Sequence, residues 1–136
     1  MPYSLTFSER HVYPPVSPGI TIPVVLIAGS QKVEILAKID TDATYCLFDR
    51  GSADALSIAV ESGERKTFST INSQFDAFGH EVTLDVLGIP ITSVVYFYAE
   101  PTFKRNVLGR TGWLDRLRLG LVDYDQMLYL NAYHVE

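Results

Sequence analysis

Cysteine is almost absent from this 136-residue chain: Cys46 stands alone. A single thiol forms no internal disulfide, so the core has to hold the fold, and a reducing, cytoplasmic setting is expected. The three histidines, His11, His80 and His134, are far apart and lack metal-ligand spacing, which argues against a zinc site. No glycine-rich phosphate loop is present: neither Gly29-Ser30 nor Gly109-Arg110 has the required pattern. Ser52 and Ser57 lack the context of a nucleophile elbow. No metal or cofactor is therefore expected. Long apolar runs are also missing. The longest, residues 22–28 and 94–99, are too short to span a bilayer. No charged segment followed by an apolar stretch opens the chain, so no secretory leader is expected. Positive charge is in deficit, with 11 Lys and Arg against 16 Asp and Glu and a net charge of −5. That balance argues against a nucleic-acid backbone or an anionic membrane as partner, because both demand a basic surface.

What is present is a globular composition, 47% hydrophobic and 20% charged, at a length that suits one domain over residues 1–136. Tyr, Phe, Val, Ile and Thr recur in short runs, which favours strands. Residues 1–19 carry Pro14, Pro15 and Pro18 and read as an arm, with a short strand at residues 3–7. Residues 20–28 and 32–39 form a hairpin through Gly29-Ser30-Gln31. Asp49 is placed to cap a short helix over residues 50–57, with Gly51 weakening it. A second hairpin joins residues 66–72 and 78–87 across the polar tip Asn72-Ser73-Gln74. Its second strand alternates, with Val82, Leu84 and Val86 on one side. Residues 91–99 suit a strand buried on both faces. A strand ending on Gly109 leads into a short helix around Trp113. Residues 116–122 then alternate around Leu117, Leu119 and Leu121, and a last strand covers 127–132. Many short strands with one or two short helices predict an all-β domain, a small closed barrel.

One stretch stands out chemically. Residues 35–39 are a strand, and it ends on Asp40-Thr41-Asp42-Ala43. A carboxylate where a buried strand breaks into a turn is costly to desolvate, and such groups cluster at functional sites. Sixty-nine residues later (109 − 40), Val107-Leu108-Gly109-Arg110 again ends a strand on glycine. Asp-Thr-x-Ala followed by a hydrophobic-hydrophobic-Gly-Arg element, in this order and with a hairpin between them, resembles the retropepsin-like aspartic proteases of the bacterial single-domain type. One position departs: the family's motif glycine is Asp42 here.

The resemblance implies a retropepsin-like fold and a homodimer in which each subunit supplies one Asp40. Two carboxylates about 3 Å apart cannot both ionise, so one keeps a proton and the other acts as base on a water. Thr41 would lock the paired loops, Ala43 would pack beneath them, and Gly109 and Arg110 would support them. The hairpin over residues 66–84 would be a flap closing on an extended peptide, with Asn72, Ser73 and Gln74 towards substrate. Asp42 is expected to impair this centre. It tolerates unusual backbone angles, but at ~5 Å and an effective dielectric of ~20 each like-charge contact costs about 3 kcal/mol. It would also crowd the peptide path. Many relatives carry Asp where Thr44 stands, so Asp42 is expected to replace it as partner of Arg110. The alternative is a non-catalytic dimeric binding or assembly module on the same fold.

Overall fold

The computed structural model of the chain describes residues 1–15 and 19–133, so Pro18 and His134 lie outside the described residues. The strands are β1 (Glu9–Val12), β2 (Thr21–Ala28), β3 (Gln31–Ile39), β4 (Leu47–Phe48), β5 (Glu64–Ser69), β6 (Gln74–Val86), β7 (Ile89–Tyr98), β8 (Val107–Leu108), β9 (Leu117–Val122) and β10 (Met127–Ala132). One α-helix, α1 (Arg50–Ala55), sits between β4 and β5. Its cap is as expected: the Asp49 carboxylate accepts the Ser52 N–H at 2.9 Å, which satisfies a donor the helix leaves free. The expected late helix is a single 3-10 turn, Leu114–Arg116. No helix among the described residues is long and apolar enough to cross a membrane.

Local chemistry sets the hairpins. Gly29, at φ +59°, lets β2 return as β3 within two residues. Leu87 and Gly88 both have positive φ, the condition for a two-residue turn that matches strand twist. The Asp85 carboxylate accepts the Gly88 N–H across it at 3.0 Å. Side-chain alternation then decides the faces. Ile22, Val24 and Leu26 of β2 and Val82, Leu84 and Val86 of β6 are all buried. These inward rows meet because β2 pairs with β6 as well as with β3, Leu26 standing opposite Leu84. The larger sheet therefore curls round in the order β2-β3-β8-β4-β7-β6-β5 with β2 returning to β6. Trp113, Phe48, Phe97 and Leu108 fill its interior.

A second, antiparallel sheet runs β1-β10-β9. The N-terminal strand is Glu9–Val12 and not residues 3–7, because Glu9–Val12 finds the edge of β10, Arg10 opposite Tyr129, whereas Tyr3 and Leu5 are exposed. Tyr13 anchors the segment by donating its hydroxyl to Asp123. Two burial expectations change. Val94 is 47% exposed, because only the last four residues of β7 are covered on both faces. Leu121 is 45% exposed, since β9 runs off the core after Leu119.

Leu84 touches the core from a strand paired on both sides. Leu84→Ala should lower unfolding free energy by about 2–5 kcal/mol in urea titrations. Ile71→Ala, at a fully exposed position, should change it by less than about 0.5 kcal/mol.

Candidate active site

Asp40 is delivered by two strand ends. β3 and β8 run parallel, Ile39 opposite Leu108, and the Asp40 N–H continues that ladder to the Leu108 carbonyl at 3.0 Å. Beyond it the chain turns at once. The Asp40 carbonyl accepts the Ala43 N–H at 3.1 Å, and its carboxylate Oδ1 accepts the Asp42 N–H at 3.0 Å. Aspartate is the natural first residue for such a turn, because its side chain caps the amide two residues on. One carboxylate oxygen is thereby fixed. The group is only half-buried.

The turn is clamped from the other end of the chain. Ala43 and Thr44 carbonyls accept the Arg110 and Thr111 N–H groups at 2.9 and 2.7 Å. Gly109 immediately precedes these bonds, and its N–H meets the Cys46 sulfur at 3.4 Å. A Cβ at 109 would collide with the Tyr45 carbonyl and stand 2.8 Å from the Ala43 carbonyl oxygen. Glycine is needed here for close approach of backbones, with no demand for positive φ. Burial pushes the Cys46 thiol up to about 11, so it stays protonated at neutral pH and is no nucleophile.

Asp40 and Ala43 line the floor of a groove of about 270 Å³ beneath the β5–β6 hairpin. Phe75, Tyr98 and Phe103 wall it, and Thr70 and Ser73 reach it from the hairpin tip. Among the described residues, Asp40 is the one acidic group lining it. Of the tip residues expected to face substrate, Ser73 does line the groove. Asn72 does not, and Gln74 already belongs to β6 and faces a neighbouring depression. The tip is Thr70 to Ser73, closed by a Thr70 N–H to Ser73 carbonyl bond of 2.7 Å.

Asp42 departs from expectation in two ways. Its φ is not positive, so the turn accepts a side chain there without backbone strain. It is also exposed and lines no part of the groove. The expected Asp42–Arg110 ion pair is not formed among the described residues. Asp42 sits at the free tip of the turn, whereas Arg110 lies beside Thr44, Thr111 and Asp115. Thr41 is exposed. The aromatic wall carries no short-range signal in the sequence; the antiparallel register of β6 on β7, with Ala77 opposite Tyr98, brings Phe75 to Tyr98.

No family model and no curated protein sequence matches the chain. Solved structures do. The chain is similar to the EIAV protease, solved in complex with the inhibitor HBY-793, with a TM-score of 0.57 and 17% identity over 76% of this chain and 93% of that one. It is also similar to a retropepsin-like aspartic protease from Rickettsia conorii, with a TM-score of 0.59 and 16% identity over 82% of this chain and 89% of that one. The fold is thus the retropepsin-like, all-β fold that the two motifs implied.

If Gly109 is required by the two carbonyls it touches, Gly109→Ala should cost about 1–3 kcal/mol in chemical unfolding. A loss below about 0.5 kcal/mol would show that the clamp yields freely.

Proposed function

We propose that the chain is an aspartic endopeptidase acting as a homodimer, with Asp40 of each copy forming the catalytic pair. The observation that carries this reading is the placement of Asp40: a single carboxylate, held by backbone bonds at two strand ends, on the floor of an apolar groove. One such group is half of a proton-sharing pair, and two-fold symmetry supplies the other. The exposed Thr41 and the free tip of the turn are available to a second copy.

In the paired state one Asp40 is protonated and its mate ionised. The ionised carboxylate removes a proton from a water held between them, and the water oxygen adds to the scissile carbonyl. The protonated carboxyl gives its proton to the carbonyl oxygen, forming a neutral tetrahedral diol. Collapse breaks the C–N bond: the proton taken from water passes to the leaving amine, and one diol hydroxyl gives its proton to the other carboxylate, which leaves a carboxylic acid and restores the pair. The hairpin ending at Thr70 to Ser73 would cover the peptide, and its strand edge would pair with peptide main chain. Gly109 holds the catalytic turn, and Arg110 bonds it through its main chain.

Asp42 sets the working pH. Across a dimer axis two Asp42 carboxylates stand near the pair and add negative charge, which favours extra protons at the centre. Activity is then weak at neutral pH and confined to the acid range. The same residue favours a second reading, a dimeric assembly module that kept the fold and lost the chemistry.

Cleavage of a denatured protein substrate between about pH 3 and pH 7 separates the two. The expected outcome is activity rising towards acid pH, falling by about 10²–10⁴-fold in Asp40→Asn. In Asp42→Gly, neutral-pH activity should gain about tenfold, the effect of removing about 1.4 kcal/mol of repulsion. Sedimentation should give a dimer. A dimer that is inert to begin with, and no different after Asp40→Asn, would establish the assembly module; a monomer at all concentrations would sink both.

A further inference from the structure

The groove over Asp40 carries two features that hydrolysis itself does not require. The first is its wall. Phe75, Tyr98 and Phe103 are in mutual ring contact, with centroids 5.4 Å apart in each of the three pairs. Tyr98 is buried and Phe103 half-buried, so the wall presents ring faces and edges, suited to a large apolar side chain. The second is its rim. Lys104 and Arg105, in the loop between β7 and β8, both line the groove and both are exposed. Neither makes an ion pair among the described residues, although the chain carries five more acidic than basic groups. Asp76 and Glu100 are close in the fold, but they line the depression on the other side of Phe75 and Phe103. Asp76 is occupied there by the Thr67 hydroxyl at 2.7 Å. Arg105 acts on the groove wall itself: its charge offsets part of the rise that burial imposes on the Tyr98 hydroxyl.

We propose that this groove selects extended peptides in which a large apolar residue is flanked by a carboxylate side chain, the aromatic wall taking the first and Lys104 with Arg105 taking the second. The inference rests on the groove being a peptide site, as argued above, and adds the class of peptide. Two unpaired cations at a rim repel a basic residue and attract an acidic one, which governs encounter and discrimination more than bulk affinity. The groove's own acid, Asp40, lies on the floor, where the reacting bond sits. The selection has a built-in limit. A substrate Glu titrates near its ordinary value of about 4.3, so the preference fades as the pH falls to about 4.

The test uses short fluorescein-labelled peptides, identical except for a central Phe-Glu, Phe-Gln or Phe-Lys, bound to the Asp40→Asn protein. Asparagine stops turnover and keeps an acceptor for the Asp42 N–H. Fluorescence anisotropy at about pH 6 and low ionic strength should rank Glu above Gln above Lys, by about threefold at each step. Salt at about 0.5 M should compress the ranking. The Lys104→Glu/Arg105→Glu double variant should invert it, while Phe103→Ala should weaken all three peptides together. Equal affinities, or an unchanged order in the charge-reversed protein, would overturn this inference and leave the peptidase reading standing. If none of the peptides binds the folded protein, the peptide site itself is wrong and this inference falls with it.

Discussion

The structure depends on a backbone contact made where two chain segments come too close for any side chain. Gly109 lies against the Tyr45 and Ala43 carbonyls, and the hydrogen bonds of the two residues that follow it tie residues 43–44 to residues 110–111. These bonds are local in space, though far apart in sequence. They convert a surface turn after β3 into a fixed mount. Without them Asp40 would be an ordinary turn aspartate at the end of an edge hairpin. With them its main chain is bonded to β8 and its carboxylate to the turn. The parallel pairing of β3 with β8, and of β4 with β7, follows from the same clamp, since both short strands are threaded beside it.

That clamp is legible in the sequence because each half leaves a local trace. A strand that ends on Asp-Thr and another that ends on Gly-Arg are short patterns, and the resemblance they carry implies the neighbouring strands that the fold shows. The first hairpin is legible for the same reason, since Gly29 is turn chemistry, and Val82, Leu84 and Val86 show period-two burial. What escapes is whatever a register decides. Phe103 belongs to the groove only because β7 delivers the following loop beside Phe75, and nothing near Phe103 announces it. Composition misplaces the first strand, at residues 3–7, because an edge partner, β10, selects Glu9–Val12 instead.

Asp42 shows how a motif position and a structural position differ. Read as a motif, glycine implies a need for glycine's backbone freedom. Read in the fold, residue 42 has no positive φ and faces outward, so one chain alone imposes no such need. At residue 42 the fold of the single chain therefore accepts a side chain, and the turn keeps its hydrogen bonds with aspartate in place.

The same separation of floor and roof runs through the hairpin. Its stem is fixed: Phe68 stacks on Phe75 at 5.2 Å, and Tyr45 and Tyr96 meet Phe68 edge-on. Lys66 lies over the Tyr45 ring, 5.1 Å from its centroid. These contacts set where the groove begins. Beyond them, the bonds of Thr70 and Ser73 stay within the tip, and Ile71 is fully exposed. A stem bound by aromatic packing and a tip bound only to itself have very different opening energies. Movement of the tip would break none of the contacts that hold Asp40, because no bond joins Thr70 or Ser73 to residues 40–44 among the described residues. The fold thus separates the backbone bonds that fix the carboxylate from the self-bonded tip above it, with the aromatic cluster between them.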